Sequence, residues 1–202
     1  MSLTQARHAL RDPAASLAHA HAQWGGRGDL WVFGYASLIW RPEFEAVEQL
    51  PAQVHGYHRA LKMHSRVNRG TPQTPGLVFA LLSGGSCRGI AFRIAHHRVD
   101  EELPRLWARE MPNAVYDARW LQCRTPRGPL RALGFTLSRA SPNYTGALAD
   151  AQLLAILRSA SGRYGSTLAY LLETARGLDA CGIRDPEIAR LVALARRHAL
   201  AP

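Results

Sequence analysis

Short apolar runs, separated by segments that contain glycine or proline, are the feature of this sequence that most restricts its fold. The first covers residues 30–35 and is rich in aromatic and β-branched side chains, a composition typical of buried strands. Similar runs follow, with Gly84 and Gly85 as a predicted turn between two of them; they cover residues 52–61, 76–82, 87–94, 114–123 and 130–136. Short strands at this spacing predict a small curved sheet or barrel.

Helical patterns interrupt these strands and then close the chain. Asp100 is predicted to cap a helix, and further amphipathic segments are predicted at residues 150–159, at residues 166–175 and from Asp185 onward. The predicted fold class is therefore α+β, a small mixed β-barrel or curved sheet with flanking helices. Residues 1–28 are predicted to form a helical or flexible arm, followed by one domain over residues 29–200.

The positive charge of the chain does not indicate a nucleic-acid site. The formal net charge is +10, but 24 of the 25 basic residues are arginines spread along the chain, and Lys62 is the one lysine. No run of five like charges occurs, so we expect no specific nucleic-acid partner. A basic surface would still favour the approach of a small anionic substrate.

Other partners and locations are limited by what the sequence lacks. No stretch approaches the roughly 20 apolar residues that span a bilayer, and the N-terminal residues lack the apolar region of a signal peptide. Cys87, Cys123 and Cys181 are odd in number and far apart, which favours neither a disulfide framework nor a zinc site. We therefore expect a cytoplasmic protein without a membrane partner or a bound metal. The sequence makes no prediction of oligomeric state.

Glu110 is the strongest candidate for a catalytic group. In the predicted helix after Asp100, Leu103, Leu106 and Trp107 recur at helical spacing, and Glu110 continues the same stripe. A carboxyl on a buried face has a raised pKa and can exchange protons near neutral pH. The alternative is that Glu110 lies at a frayed helix end and pairs with an arginine.

Two loops are candidate binding segments. Gly34 and the small residues Ala36 and Ser37 could expose successive backbone N–H groups to a carboxylate or an oxyanion, although an ordinary exit from a strand has the same pattern. The loop that contains Arg66 and Arg69 could bind an acidic group or form a solvated turn.

These segments together resemble the ChaC family of γ-glutamylcyclotransferases. The family signature Val-Phe-Gly-Tyr-Gly-Ser-Leu-Ile-Trp is similar to residues 32–40, and its other motifs follow in order up to about Arg197. They are Gly56-Tyr57-His58-Arg59, Arg69-Gly70-Thr71-Pro72 with Pro75-Gly76, Gly89-Ile90-Ala91-Phe92, Arg109-Glu110, Pro142-Asn143-Tyr144-Thr145-Gly146 and Tyr170-Leu171.

The resemblance implies a cofactor-free reaction in which the α-amine of a γ-glutamyl group attacks its own side-chain carbonyl. The products are 5-oxoproline and a released amine, which for glutathione is Cys-Gly. Glu110 corresponds to the family's catalytic acid/base. The substrate-binding residues that we predict are Val32, Phe33, Gly34, Tyr35, Ala36, Ser37, Leu38, Arg69, Tyr116 and Tyr144.

Departures from the family pattern concern the substrate more than the fold. Ala36 replaces the second glycine of the signature, which would be unfavourable if that position required a positive φ. Val67 and Asn68 replace an Asp-His pair, and Ala169 replaces an acid before the late tyrosine. The alternatives are a cyclotransferase for another γ-glutamyl peptide or amine, and a non-catalytic γ-glutamyl or anion-binding protein.

Overall fold

A closed five-stranded barrel forms the centre of the protein in the computed structural model, which describes residues 12–112 and 115–201. The strand order is β1-β3-β2-β4-β5, and a parallel contact between β1 and β5 completes the closure. The strands that follow one another in this order pair antiparallel, and β3 also makes a parallel contact with β5. The strands are β1 (Leu30–Gly34), β2 (Glu48–Ser65), β3 (Gly76–Ile94), β4 (Asp117–Thr125) and β5 (Gly128–Thr136).

Six α-helices, a short 3₁₀ helix (His96–Arg98) and a two-stranded hairpin surround the barrel in the described part of the chain. The helices are α1 (Pro13–Trp24), α2 (Ser37–Trp40), α3 (Val99–Glu110), α4 (Asp150–Ser159), α5 (Thr167–Ala180) and α6 (Pro186–Arg197). The hairpin joins β6 (Ser161–Gly162) to β7 (Gly165–Ser166). This architecture confirms the predicted α+β class, and α4 has the predicted bounds. None of the helices within residues 12–112 and 115–201 could cross a membrane.

Alternating strand residues divide the core into two clusters. Phe79 and Leu81 of β3 face one cluster, which includes apolar residues of α4, α5 and α6. Ala80 and Leu82 face the other cluster, which includes residues of α1 and α3. Successive side chains of a strand point to opposite faces, so one strand contributes to both clusters. A site at the junction of the two clusters can therefore combine residues from α3 and α5.

Two local predictions were wrong. Gly84 and Gly85 do not end a strand, because β3 continues through them as a bulge in which both oppose Gly56 of β2. A long partner strand maintains the pairing on either side, so positive φ values at glycine bend the ladder without ending it. Asp100 lies in the first turn of α3 and does not cap it, since the helix begins at Val99. The predicted strand at residues 114–123 is found as β4, and residue 114 lies outside the described residues.

Helix α1 packs against α3 and β4. Its N-cap is Asp12, whose carboxylate accepts a hydrogen bond of 2.9 Å from the N–H of Ala14. Trp107 of α3 donates its indole N–H to the Ser16 hydroxyl at 3.2 Å, and Ala20 is buried in the interface. The part of the N-terminal arm from Pro13 to Trp24 is thus a docked helix. The division of the chain into an arm and a domain stays a prediction.

Replacing Ala20 by glutamine is expected to destabilise the protein by about 1 to 3 kcal/mol, because a larger polar side chain would be forced into a packed interface. Ala18→Gln is the matched control, since Ala18 is exposed on the same helix. The free energy of unfolding in urea measures both changes. Equal stability of the two variants would show that α1 does not depend on this contact.

Candidate active site

Glu110 lies at the C-terminal end of α3, the helix whose buried face includes Leu103, Leu106 and Trp107. Its side chain is 14% exposed and pairs with Arg109, so Glu110 is both largely buried at the end of the apolar stripe and, as the alternative had it, a helix-end residue paired with an arginine. Its catalytic role stays a prediction. The stripe contains a second acid, Glu102, which the sequence pattern did not single out. Glu102 is buried and pairs with Arg98 at 3.0 Å. Glu110 differs from Glu102 in its neighbours, which include Arg109 and the carboxylate of Glu43.

Burial raises the pKa of Glu110 above its ordinary value. The guanidinium of Arg109 opposes this effect, with its Nε donating to Glu110 Oε1 at 3.0 Å, and the carboxylate of Glu43 reinforces it. Removal from water disfavours the charged carboxylate, while one adjacent cation limits the cost. The result is a carboxyl that binds a proton more tightly than an ordinary glutamate does, which suits a group that both accepts and returns a proton.

Three buried tyrosines lie near Glu110. Burial raises the pKa of Tyr35, Tyr116 and Tyr170, and the charge of Glu110 raises each further, so these phenols are close enough to interact with the carboxyl. Tyr35 donates its hydroxyl proton to the carbonyl of Phe135 at 3.0 Å. The Tyr170 hydroxyl accepts a hydrogen bond of 3.2 Å from the N–H of Phe79. All three phenols therefore stay protonated across the physiological range.

The segment between β1 and α2 forms one wall of the site. Ala36 has a φ of −145°. This position therefore does not require the positive φ that would have made alanine unfavourable in place of glycine. Helix α2 begins at Ser37, and the first N–H groups of a helix have no acceptor within the helix. Gly89 is needed behind this wall, since a Cβ there would lie 2.3 Å from the carbonyl oxygen of Gly34.

Arg59 holds this wall from inside the protein. Its guanidinium donates to the carbonyl of Tyr35 and, at 2.6 Å and 3.1 Å, to the carboxylate of Asp185. The Arg59 side chain is 1% exposed and that of Asp185 is 17% exposed, so this ion pair is buried. The backbone of the wall is therefore fixed to the start of α6.

Arg109 connects the segment after α2 to the helix that carries Glu110. Its guanidinium donates to the carbonyl of Arg41, and it pairs with Glu43 at 3.0 Å. Arg41 also pairs with Glu43, at 2.5 Å. These contacts bring the segment after α2 to the end of α3.

Arg69 packs against the ring of Tyr170. Its guanidinium is 5.1 Å from the centre of the Tyr170 ring and donates to the carbonyl of Tyr164. Burial lowers the pKa of Arg69, while Tyr170 and the carboxylate of Glu173 oppose this effect. Glu173 pairs with Arg176, and none of the ion pairs found in the described part of the chain includes Arg69. The loop is tightly folded, because a Cβ on Gly70 would lie 2.0 Å from the N atom of Gly76.

The predicted site residues divide into a group that the structure brings together and a group whose side chains have other contacts. The structure brings Tyr35, Tyr116 and Glu110 together, and Arg69 joins them through Tyr170. The side chains of Val32, Phe33 and Leu38 are buried in the core clusters, so only their backbone could contact a ligand. Tyr144 contacts Arg139 at 2.9 Å and pairs with Met63 of β2.

Sequence reasoning missed Glu43, Arg109 and Tyr170 as site residues. Tyr170 was noted only as part of a motif, and its spacing on α5 is that of an ordinary core residue. The one available signal for Arg109 was its position next to Glu110. In the described part of the chain, no group of three or more His, Cys, Asp or Glu side chains could hold a metal ion.

Comparison with known proteins agrees with the family resemblance. The ChaC-like protein family matches residues 30–198. A glutathione-specific gamma-glutamylcyclotransferase of Escherichia coli (strain K12) is 33% identical over 173 residues, which cover 85% of this chain and 75% of that protein. Glutathione-specific gamma-glutamylcyclotransferase 1 of Mus musculus is 33% identical over 180 residues, or 84% and 80% of the two chains.

The fold is also that of a solved structure. The crystal structure of a glutathione-specific gamma-glutamyl cyclotransferase from yeast superimposes with a TM-score of 0.77, covering 85% of this chain and 97% of that chain. Its sequence is 19% identical, so this likeness concerns the fold.

Proposed function

Because the chain belongs to the ChaC-like protein family, we propose that it is a γ-glutamylcyclotransferase that cleaves glutathione to 5-oxoproline and Cys-Gly. The observation that carries this assignment to particular residues is the environment of Glu110, a carboxyl that burial gives a raised pKa among three protonated phenols. The reaction requires one group that both removes and returns protons.

Glu110 is the group that we assign to proton transfer. The α-nitrogen of glutathione enters as an ammonium, which cannot attack a carbonyl until it loses a proton. The carboxylate of Glu110 takes that proton, the nitrogen forms a bond to the γ-carbonyl carbon, and the bond from that carbon to the cysteinyl nitrogen breaks. Two protons leave the α-nitrogen and two reach the cysteinyl nitrogen, so Glu110 ends as the carboxylate with which it began.

The wall formed by residues 34–38 is assigned to holding the γ-glutamyl group. The buried Arg59 fixes the Tyr35 carbonyl, so the following peptide N–H groups keep one orientation. Such preorganised donors can hold a substrate carboxylate or stabilise the oxygen that becomes negative during ring closure. Tyr35 and Tyr116 are assigned as further hydrogen-bonding groups of this pocket, and Tyr144 as a more distant contact to the substrate. Holding the amine against the carbonyl supplies the proximity that cyclisation needs.

Arg69 is assigned to a carboxylate of glutathione, because it is buried beside Tyr170 and forms no direct ion pair within the described residues, although Glu173 lies near enough to act on its charge. The Arg69→Gln variant is expected to raise KM for glutathione by about tenfold to a hundredfold, with a smaller effect on kcat. Arg66→Gln is the matched control, since Arg66 lies on the same loop and is exposed. An unchanged KM in Arg69→Gln, with the fold intact, would remove Arg69 from the binding site.

The substrate assignment is tested by comparing the turnover of reduced glutathione with that of γ-glutamylalanine under the same conditions. We expect release of 5-oxoproline from glutathione at a kcat/KM at least tenfold higher. Preference for γ-glutamylalanine would make the protein a cyclotransferase for other γ-glutamyl compounds. Binding of glutathione without turnover would indicate a non-catalytic γ-glutamyl-binding protein.

A further inference from the structure

Glu43 has an unusual backbone conformation next to the site. Its φ is +57°, in the left-handed region that residues with a Cβ rarely adopt, and Ala199 is the other non-glycine example in the described part of the chain. Such conformations persist where the surrounding contacts maintain them, and they concentrate at functional sites. The contacts that maintain this one are ion pairs with Arg41 and Arg109.

Arg109 is shared between two carboxylates. Its Nη1 lies 3.0 Å from Glu43 Oε2, and its Nε lies 3.0 Å from Glu110 Oε1. The guanidinium side chain of Arg109 is 18% exposed, and a planar guanidinium presents its donors in a fixed arrangement. A carboxylate that fixes one edge of the guanidinium therefore also fixes the edge that faces Glu110.

We propose that Glu43 is a positioning residue, which acts through Arg109 to orient the carboxyl of Glu110 and to set its affinity for protons. This inference rests on the proposed function, since it assigns Glu110 to proton transfer. Glu43 needs no contact with the substrate for this role.

The charges around Glu110 determine the direction of the effect. Arg109 faces it from α3, Glu43 from the segment after α2, Tyr35 from the end of β1, Tyr116 from the start of β4 and Tyr170 from α5. Glu43 disfavours the charged carboxylate by repulsion and also engages the cation that favours it. Removing the charge of Glu43 would therefore lower the pKa of Glu110.

The test is the pH dependence of kcat/KM for glutathione, whose acidic limb reports the base of the free enzyme. In the wild type, activity should fall as the pH decreases through a value above 4.5, the ordinary value for glutamate. In Glu43→Gln, this limb is expected to move to lower pH by about 0.5 to 1 unit. The kcat at pH 8 is expected to fall by about threefold to tenfold, since the base is weaker and less firmly held.

Two further variants separate this role from a structural one. Glu43→Gly removes the charge but suits a positive φ, so it is expected to raise the melting temperature while shifting the limb as Glu43→Gln does. Glu45→Gln is the control, because Glu45 lies on the same segment, is 65% exposed and pairs with Arg98 away from the site. It is expected to keep the wild-type profile.

The outcomes are distinct. Wild-type limbs and rates in both Glu43→Gln and Glu43→Gly would overturn the role of Glu43 and leave the proposed function intact. A wild-type protein that makes no 5-oxoproline would overturn the proposed function. In that case the carbon-13 titration of the Glu110 carboxyl, identified by its loss in Glu110→Gln, still tests the coupling. A pKa that is the same with and without the Glu43 charge would contradict it.

Discussion

The Glu110→Gln variant is expected to lose glutathione cleavage by about a thousandfold or more while it keeps the fold. Glutamine has nearly the same shape as glutamate, but it cannot accept the proton of the α-ammonium group or deliver one to the leaving nitrogen. Removing a general acid/base costs about 10² to 10⁴ in rate, and here one group serves both steps. The measurement is the initial rate of 5-oxoproline formation with saturating glutathione.

The same variant should be as stable as the wild type at pH 7, or more stable. Burial raises the pKa of Glu110 in the folded protein, so the folded state binds this proton more tightly than the unfolded chain does. The stability contributed by the group is therefore lost as the pH rises through that raised value, and glutamine avoids the loss. Glu101→Gln, an exposed acid on the same helix, is the control and should keep full activity. Full activity in Glu110→Gln would place the base elsewhere.

The second large effect is expected from Asp185→Asn, which should destabilise the protein by about 3 to 5 kcal/mol. Asp185 Oδ1 caps α6 by accepting from the N–H groups of Glu187 and Ile188, both at 3.0 Å. Asn caps a helix as well as Asp does, so the substitution leaves the cap and removes the charge that faces the buried Arg59. A buried guanidinium without its partner carries most of its desolvation cost uncompensated.

Asp12→Asn is the matched control for this change. Asp12 caps α1 in the same way through its contact with Ala14, but it is exposed and pairs with no buried cation within residues 12–112 and 115–201. Urea unfolding is expected to show a change of less than about 0.5 kcal/mol for Asp12→Asn. If the two variants lost equal and small amounts of stability, the Arg59–Asp185 pair would not contribute to holding the wall of the site.

The sequence predicted most elements of this fold because local patterns report local burial. The stripe that ends in Glu110 and the Asp185–Pro186 start of α6 are both found in the structure. The extent of the strands was harder to predict, since β2 and β3 continue through polar residues and glycines for as long as each has a partner. Pairing between segments distant in sequence decides where such strands end, and no local pattern records it.

The candidate site shows the same limit. The position of Glu110 on a largely buried helix face was predictable, because this acid continues the apolar stripe of its own helix. Glu43 and Tyr170 were not, because their roles depend on the fold that brings the segment after α2 and helix α5 to the end of α3. In the sequence, Glu43 cannot be told apart from any exposed acid. In the structure, Arg109 pairs with both Glu43 and Glu110.

Intramolecular cyclisation at the γ-glutamyl group is the central claim of this account, and one product analysis tests it directly. The purified protein is mixed with reduced glutathione whose α-nitrogen is labelled with nitrogen-15, and the products are measured by mass spectrometry. We predict labelled 5-oxoproline and unlabelled Cys-Gly in equal amounts. Labelled glutamate in place of 5-oxoproline would show hydrolysis by water, and would contradict the proposed attack by the α-amine.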